Sequence, residues 1–127
     1  MMQPQREPVN DVARAEVLTK AVLRAATHLK ITNRALGKTL GVSESTISRL
    51  QTGAKILEPK SKPFEIGALF VRLYRGLDAI VGGDDTVSAQ WLKNNNKVLG
   101  GRPLDMIQSL EGLVNVIQYV DARRAVI

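Results

Sequence analysis

The stretch from Thr32 to Gly53, TNRALGKTLGVSESTISRLQTG, constrains the fold more tightly than any other part of this chain. Leu36 and Leu40 are four apart and share one helical face. Gly37 lies between them, where a second helix must approach closely. Gly41 follows Leu40 at the usual place for a left-handed residue that ends a helix. Val42 plugs the corner. Thr32 and Ser43 are N-cap residues, each with a hydroxyl able to accept from an unpaired backbone N–H. Glu44 places a negative charge in the first turn of the second helix. Ile47 and Leu50, three apart, face inward.

Two short helices joined by such a turn form a helix-turn-helix. The second helix presents Glu44, Ser45, Ser48 and Arg49 outward, with Thr46 and Gln51 at the edges of that face. Short polar side chains let a helix sink into the major groove. Arg49 can bridge guanine O6 and N7, Ser and Thr can bond several base edges, and Glu44 can accept from a cytosine amino group. The same residues would also suit two short helices in an all-α core with a solvated Ser/Thr face. The DNA reading is preferred because the whole pattern must be matched, not one residue.

Charge placement agrees. The net charge is +6. Residues 1–62 hold 11 Lys/Arg against 5 Asp/Glu, whereas residues 63–127 hold 7 of each. The excess therefore sits in the half with the helix-turn-helix, and a basic surface attracts phosphate without regard to sequence. Lys30, Arg34, Lys38, Lys55, Lys60 and Lys62 flank the reading helix and are candidate phosphate contacts. Any one of these lysines is about as readily an ordinary solvated charge. The expected DNA-binding set is Arg34, Lys38, Ser43, Glu44, Ser45, Thr46, Ser48, Arg49 and Lys55.

The 127 residues suffice for one domain or two small ones. Hydrophobic residues make up 44% and aromatics only 4%, so Leu, Ile, Val and Ala build the core. The absence of cysteine excludes disulfides and Cys-based zinc sites and favours an intracellular, cytoplasmic setting. No apolar run approaches the ~20 residues that span a bilayer, and Met1–Asn10 lacks the apolar core of a secretory signal. The one histidine, His28, has no evident partner for metal binding or base catalysis and reads as structural. No metal, cofactor or enzymatic activity is expected.

The fold is expected to be all-α. A first helix over 11–29 carries a stripe of Val12, Ala15, Val17, Leu18, Ala21, Val22, Ala25, Ala26 and Leu29, with Asp11 as its cap. Residues 52–62 connect, with Pro59 marking a break. Pro63 opens a second long helix, with Ser61 just upstream. Ile66, Leu69, Phe70, Leu73, Tyr74, Leu77, Ile80 and Val81 recur along it at steps of three and four, enough to bury a face against a second subunit as well as the core. Gly82 and Gly83 stop it. Asp84-Asp85 suggests a carboxylate pair, but an acidic cap on a helix from Thr86 to about Asn94 is the plainer reading. Gly100-Gly101 makes a turn, Pro103 starts a short helix, and a last helix runs from about Glu111 to Arg124. Leu113, Val114, Ile117 and Val120 are expected inside. Trp91 is expected to anchor the small C-terminal core.

Ala89-Gln90-Trp91-Leu92, then Leu99-Gly100-Gly101-Arg102-Pro103-Leu104-Asp105, then Glu111-Gly112-Leu113 resembles the C-terminal toxin-binding domain of Xre/MbcA/ParS-type antitoxins. That family shows a Trp-Leu pair, a Leu-Gly-Gly-x-Pro turn and a Gly-Leu before the final helix, and order and spacing match over residues 84–121. An Xre/Cro-like helix-turn-helix ahead of it matches the family's full architecture. Pro4 and Pro8 argue for a flexible leader (1–10), followed by a helix-turn-helix DNA-binding domain (11–62) and a connecting and dimerisation helix (63–83), and the resemblance makes residues 84–127 a toxin-binding domain. It further implies a RES-domain toxin that depletes NAD as partner, obstruction of that toxin's active site by the antitoxin's C-terminal region, a homodimer, and repression of a shared, palindromic promoter.

The implied toxin contacts are Asp121, Ala122, Arg123, Arg124, Ala125, Val126 and Ile127. Arg123 and Arg124 can pair with carboxylates at a pocket mouth, or can simply complement the dipole of the last helix in water. Many relatives end that helix with a glycine and a short hydrophobic tail, and this chain has Asp-Ala-Arg-Arg there instead. A free-standing dimeric repressor without a toxin is the alternative reading.

Overall fold

A computed structural model describes residues 8–126 and folds them into seven helices with no strand among the described residues. They are α1 (Pro8–His28), α2 (Asn33–Leu40), α3 (Glu44–Thr52), α4 (Lys62–Val81), α5 (Asp85–Lys93), α6 (Pro103–Met106) and α7 (Leu110–Val126). Residues 1–7 of the expected leader lie outside the described residues. Residues 8–10, expected in that leader, instead form the first turn of α1. Proline is tolerated in a helix's first turn because its missing N–H would be unpaired anyway. Asp11 consequently sits inside the first turn rather than at the cap.

The long helix α4 organises the molecule. Ser61 caps it, its hydroxyl accepting from the Phe64 N–H at 3.3 Å, and Pro63 occupies its first turn. Its length and apolar faces let it pack on α1 and α2 along one side and on α5 and α7 along another. Phe70, Leu73 and Leu77 are almost wholly buried there. The buried side chains of α1, α2, α3, α4, α5 and α7 form one hydrophobic cluster, so the two halves share a core through α4.

Packing corrects inward assignments on two helices. On α1, Val12 and Val17 are 42% and 69% exposed. The stripe spans more of the helix than α4 can cover, and α1's interior is carried by Ala15, Val22, Ala25, Ala26 and Leu29. On α7, Val116 is buried and Val114 only half-buried. Leu113, Val116, Ile117 and Val120 follow the three-four spacing that meets α4.

Two polar devices lock the elements. Thr19, buried in α1, donates to the Ala15 carbonyl at 2.7 Å and accepts from the Leu57 N–H at 3.0 Å. That bond pins the connector after α3 onto α1. The second is a node of His28, Tyr74 and Asp85. Asp84 caps α5 as expected, accepting from the Val87 N–H. The Asp85 carboxylate instead pairs with His28 and accepts from the Tyr74 hydroxyl at 3.0 Å, while His28 and Tyr74 stack at 5.8 Å. His28 thus has a structural partner that sequence distance hides.

Burial, then the bond to Asp85 and the neighbouring carboxylate charges, push the Tyr74 phenol from 10.0 up to about 12. A phenol harder to ionise when folded contributes stability that is whole below pH 10 and lost as pH rises toward about 12. Thermal melts across that window should therefore fall more steeply for the wild type than for Tyr74→Phe. Parallel curves would contradict the assignment.

Candidate nucleic-acid interface and C-terminal surface

Local chemistry builds the helix-turn-helix as the sequence dictates. The Thr32 hydroxyl accepts from the Ala35 N–H and that of Ser43 from the Thr46 N–H, both at 3.1 Å. Gly41 is left-handed at φ 78°. A Cβ on Gly37 would stand 2.7 Å from the Val42 carbonyl oxygen, so only glycine lets the turn approach α2 this closely. Ile47 and Leu50 are buried and fix which face of α3 looks outward.

That outer face carries Glu44, Ser45, Ser48 and Arg49, all exposed, with exposed Arg34 and Lys38 on α2, Ser43 at the turn and Lys55 beyond α3. Arg49 has no carboxylate partner among the described residues, so its guanidinium is available. Two expected members are already engaged. Ser43 is spent on the cap, within 3.1 Å of the Ser45 hydroxyl and 2.9 Å of the Thr46 hydroxyl. Thr46 is half-buried and faces the α3–connector cleft with Val42 and Leu50. Sequence reasoning missed the work of Gln51. Its side-chain amide exchanges two hydrogen bonds with Asn33, at 3.0 and 3.2 Å, tying the end of α3 to the start of α2. The pair fixes the angle at which α3 is presented.

The C-terminal half is stapled by its turns. Asn96 and Gly101 exchange backbone bonds of 2.9 and 3.2 Å, closing the Gly100-Gly101 turn. Arg102 then grips Asp105 with two hydrogen bonds, at 3.0 and 2.7 Å, across the start of α6. This bond holds the Asp105 carboxyl below its ordinary range and the guanidinium above its own.

The last helix, expected to end at about Arg124, runs through Val126, so the expected toxin contacts from Asp121 to Val126 lie on α7 itself. Ile127 lies outside the described residues. Asp121 is held by Arg72 of α4 in an ion pair, whereas Ala122, Arg123, Arg124 and Ala125 are exposed. The two arginines diverge. Arg123 lies 5.9 Å over the Tyr119 ring and donates to its hydroxyl at 3.3 Å, and Tyr119 stacks on Trp91 at 6.1 Å. Arg124 instead lies along α4 beside Gly76. Trp91 is thus half-buried in a ladder that reaches the surface, and Tyr119 was the unrecognised rung. Neighbours one apart on a helix are about 100° apart around its axis, which explains the divergence.

Among the described residues no group of three or more His, Cys, Asp or Glu side chains is placed to hold a metal, and no helix is long and apolar enough to cross a membrane. Compared with protein families, residues 8–72 match the antitoxin Xre-like helix-turn-helix domain, and residues 76–125 match the antitoxin Xre/MbcA/ParS C-terminal toxin-binding domain. No curated protein matches the chain.

Proposed function

Since this chain belongs to the Xre/MbcA/ParS antitoxin family, joining an Xre-like helix-turn-helix to a toxin-binding domain, we propose that it neutralises a RES-domain toxin that degrades NAD. It docks its C-terminal domain on the toxin, and the last turn of α7 obstructs the active-site entrance. The observation that carries this reading is the position of residues 122–125. They stand exposed at the end of a helix whose preceding turns are anchored in the core by Leu113, Val116, Ile117 and Val120. A rigid helix end can plug a pocket mouth with less ordering cost than a free tail. Arg123, pre-positioned by Tyr119, is suited to a carboxylate there.

The same chain represses its own promoter through α3. Arg49 reads guanine, while Arg34, Lys38 and Lys55 hold phosphates. Two copies read a palindromic operator, with half-sites about 34–36 Å apart or a multiple of that.

A chain ending at Asp121 keeps the buried Leu113, Val116, Ile117 and Val120 of α7 and the Arg72 ion pair. It should therefore fold and bind DNA, yet fail to rescue cells expressing the toxin that the full chain rescues. Rescue by the shortened chain would sink the obstruction mechanism.

A further inference from the structure

An open groove of about 560 Å³ runs between α1 and α4 and ends at α7. Its apolar lining is formed by Val17, Leu18 and Val71 with small alanines between them. Its rim is basic, with Arg14 from α1, Arg72 and Arg75 from α4, and Arg124 from α7. Arg72 is paired with Asp121. Arg14, Arg75 and Arg124 have no carboxylate partner among the described residues. The uncovered part of the α1 stripe therefore borders unneutralised charge of a single sign. Nothing in the reading of α3 or of residues 122–127 as a plug requires that arrangement.

Three occupants compete. A second copy placed across a two-fold axis would bring the same arginine rim against itself, which costs free energy. DNA is disfavoured by the apolar lining, which gains nothing from phosphate. The groove also occupies the side of α1 opposite the face of Glu16, Lys20 and Leu23, and that face borders the end of α3. An acidic helix with an apolar stripe satisfies both features. Its stripe covers Val17 and Val71, and its carboxylates meet the three free guanidinium groups. We infer that this groove is a docking site for an acidic amphipathic helix of a partner protein, a surface separate from the plug although Arg124 borders both.

The test uses the full chain and two fluorescent helical peptides of about four turns. They share one leucine stripe and differ only in carrying glutamate or lysine on the remaining positions. The glutamate peptide should bind, more weakly as salt rises, and the lysine peptide should not. Arg75→Glu and Val17→Glu should each weaken the glutamate peptide by about tenfold or more. Both positions are exposed, so the variants should keep the wild-type circular dichroism melt. Equal binding of both peptides, no binding, or binding indifferent to both substitutions would overturn the inference. So would a concentration-dependent dimer that Val17→Glu abolishes while neither peptide binds, because the groove would then belong to a second copy.

Discussion

Replacing Gly112 with alanine is expected to destabilise the chain by more than about 3 kcal/mol. A Cβ there would stand 1.9 Å from the Met106 carbonyl oxygen and 2.8 Å from its carbon. These are backbone atoms, so no flexible side chain can swing aside. The Met106 carbonyl also belongs to the corner that starts α7. It accepts from the Ser109 N–H at 3.3 Å, and the Ser109 hydroxyl accepts from the Gly112 N–H at 3.1 Å. Relief must move this corner, and with it Ile107 and Leu113, both fully buried. Because α7 shares its core with α1 and α2 through α4, the loss should appear as one cooperative transition. A melting temperature lower by at least about 10 °C, reported alike by Trp91 fluorescence and far-ultraviolet circular dichroism, is the expected result. Glu111→Ala, one residue away and exposed, should shift it little. A Gly112→Ala melt within a degree or two of wild type would contradict the packing described.

Arg49→Ala should reduce operator affinity by about tenfold to a hundredfold and relax preference at one base pair in each half-site. A bidentate arginine–guanine contact carries about 1–3 kcal/mol of discrimination. The magnitude belongs to the upper part of the range if the guanidinium is uncommitted in the free chain. No carboxylate among the described residues would have to be abandoned on binding. Lys38→Ala and Lys55→Ala should behave differently, weakening operator and scrambled DNA alike and lowering the salt slope by about one each. Fluorescence anisotropy on both DNAs at several salt concentrations separates the two behaviours. An unchanged ratio of operator to scrambled affinity in Arg49→Ala would mean that α3 is presented to DNA along another face.

The legible parts of this fold were those written in local chemistry. Thr32, Ser43, Ser61 and Asp84 cap the helices they precede, and Gly41, Gly53 and Gly82 close theirs in the left-handed conformation. Where the end of a helix lacks a glycine, the apolar periodicity still marks it: α1 was expected to end at 29 and stops at His28, with Lys30 at φ 55° in the left-handed position. Contacts between residues distant in sequence were hidden. His28 and Asp85 are far apart in the chain, as are Asn33 and Gln51, and no periodicity connects them. The apolar stripe of α1 was read correctly as amphipathic but too widely. Hydropathy reports which residues avoid water, not how many neighbours the fold supplies, and Val12 and Val17 are the residues left over. At the C-terminus, Arg123 and Arg124 read as one basic pair. Helical geometry sends one to Tyr119 and the other to α4, a distinction visible only once the packing of α7 on α4 is known.

The proposed role rests on a helix end that closes an enzyme's pocket, and NAD turnover reports on that directly. The toxin would be purified from its complex with the full chain, and its consumption of NAD followed as the chain is added back. Turnover should stop near one chain per toxin active site, and a chain ending at Asp121 should leave it running. Undiminished NAD consumption at saturating full-length chain, or a partner that consumes no NAD on its own, would contradict the account.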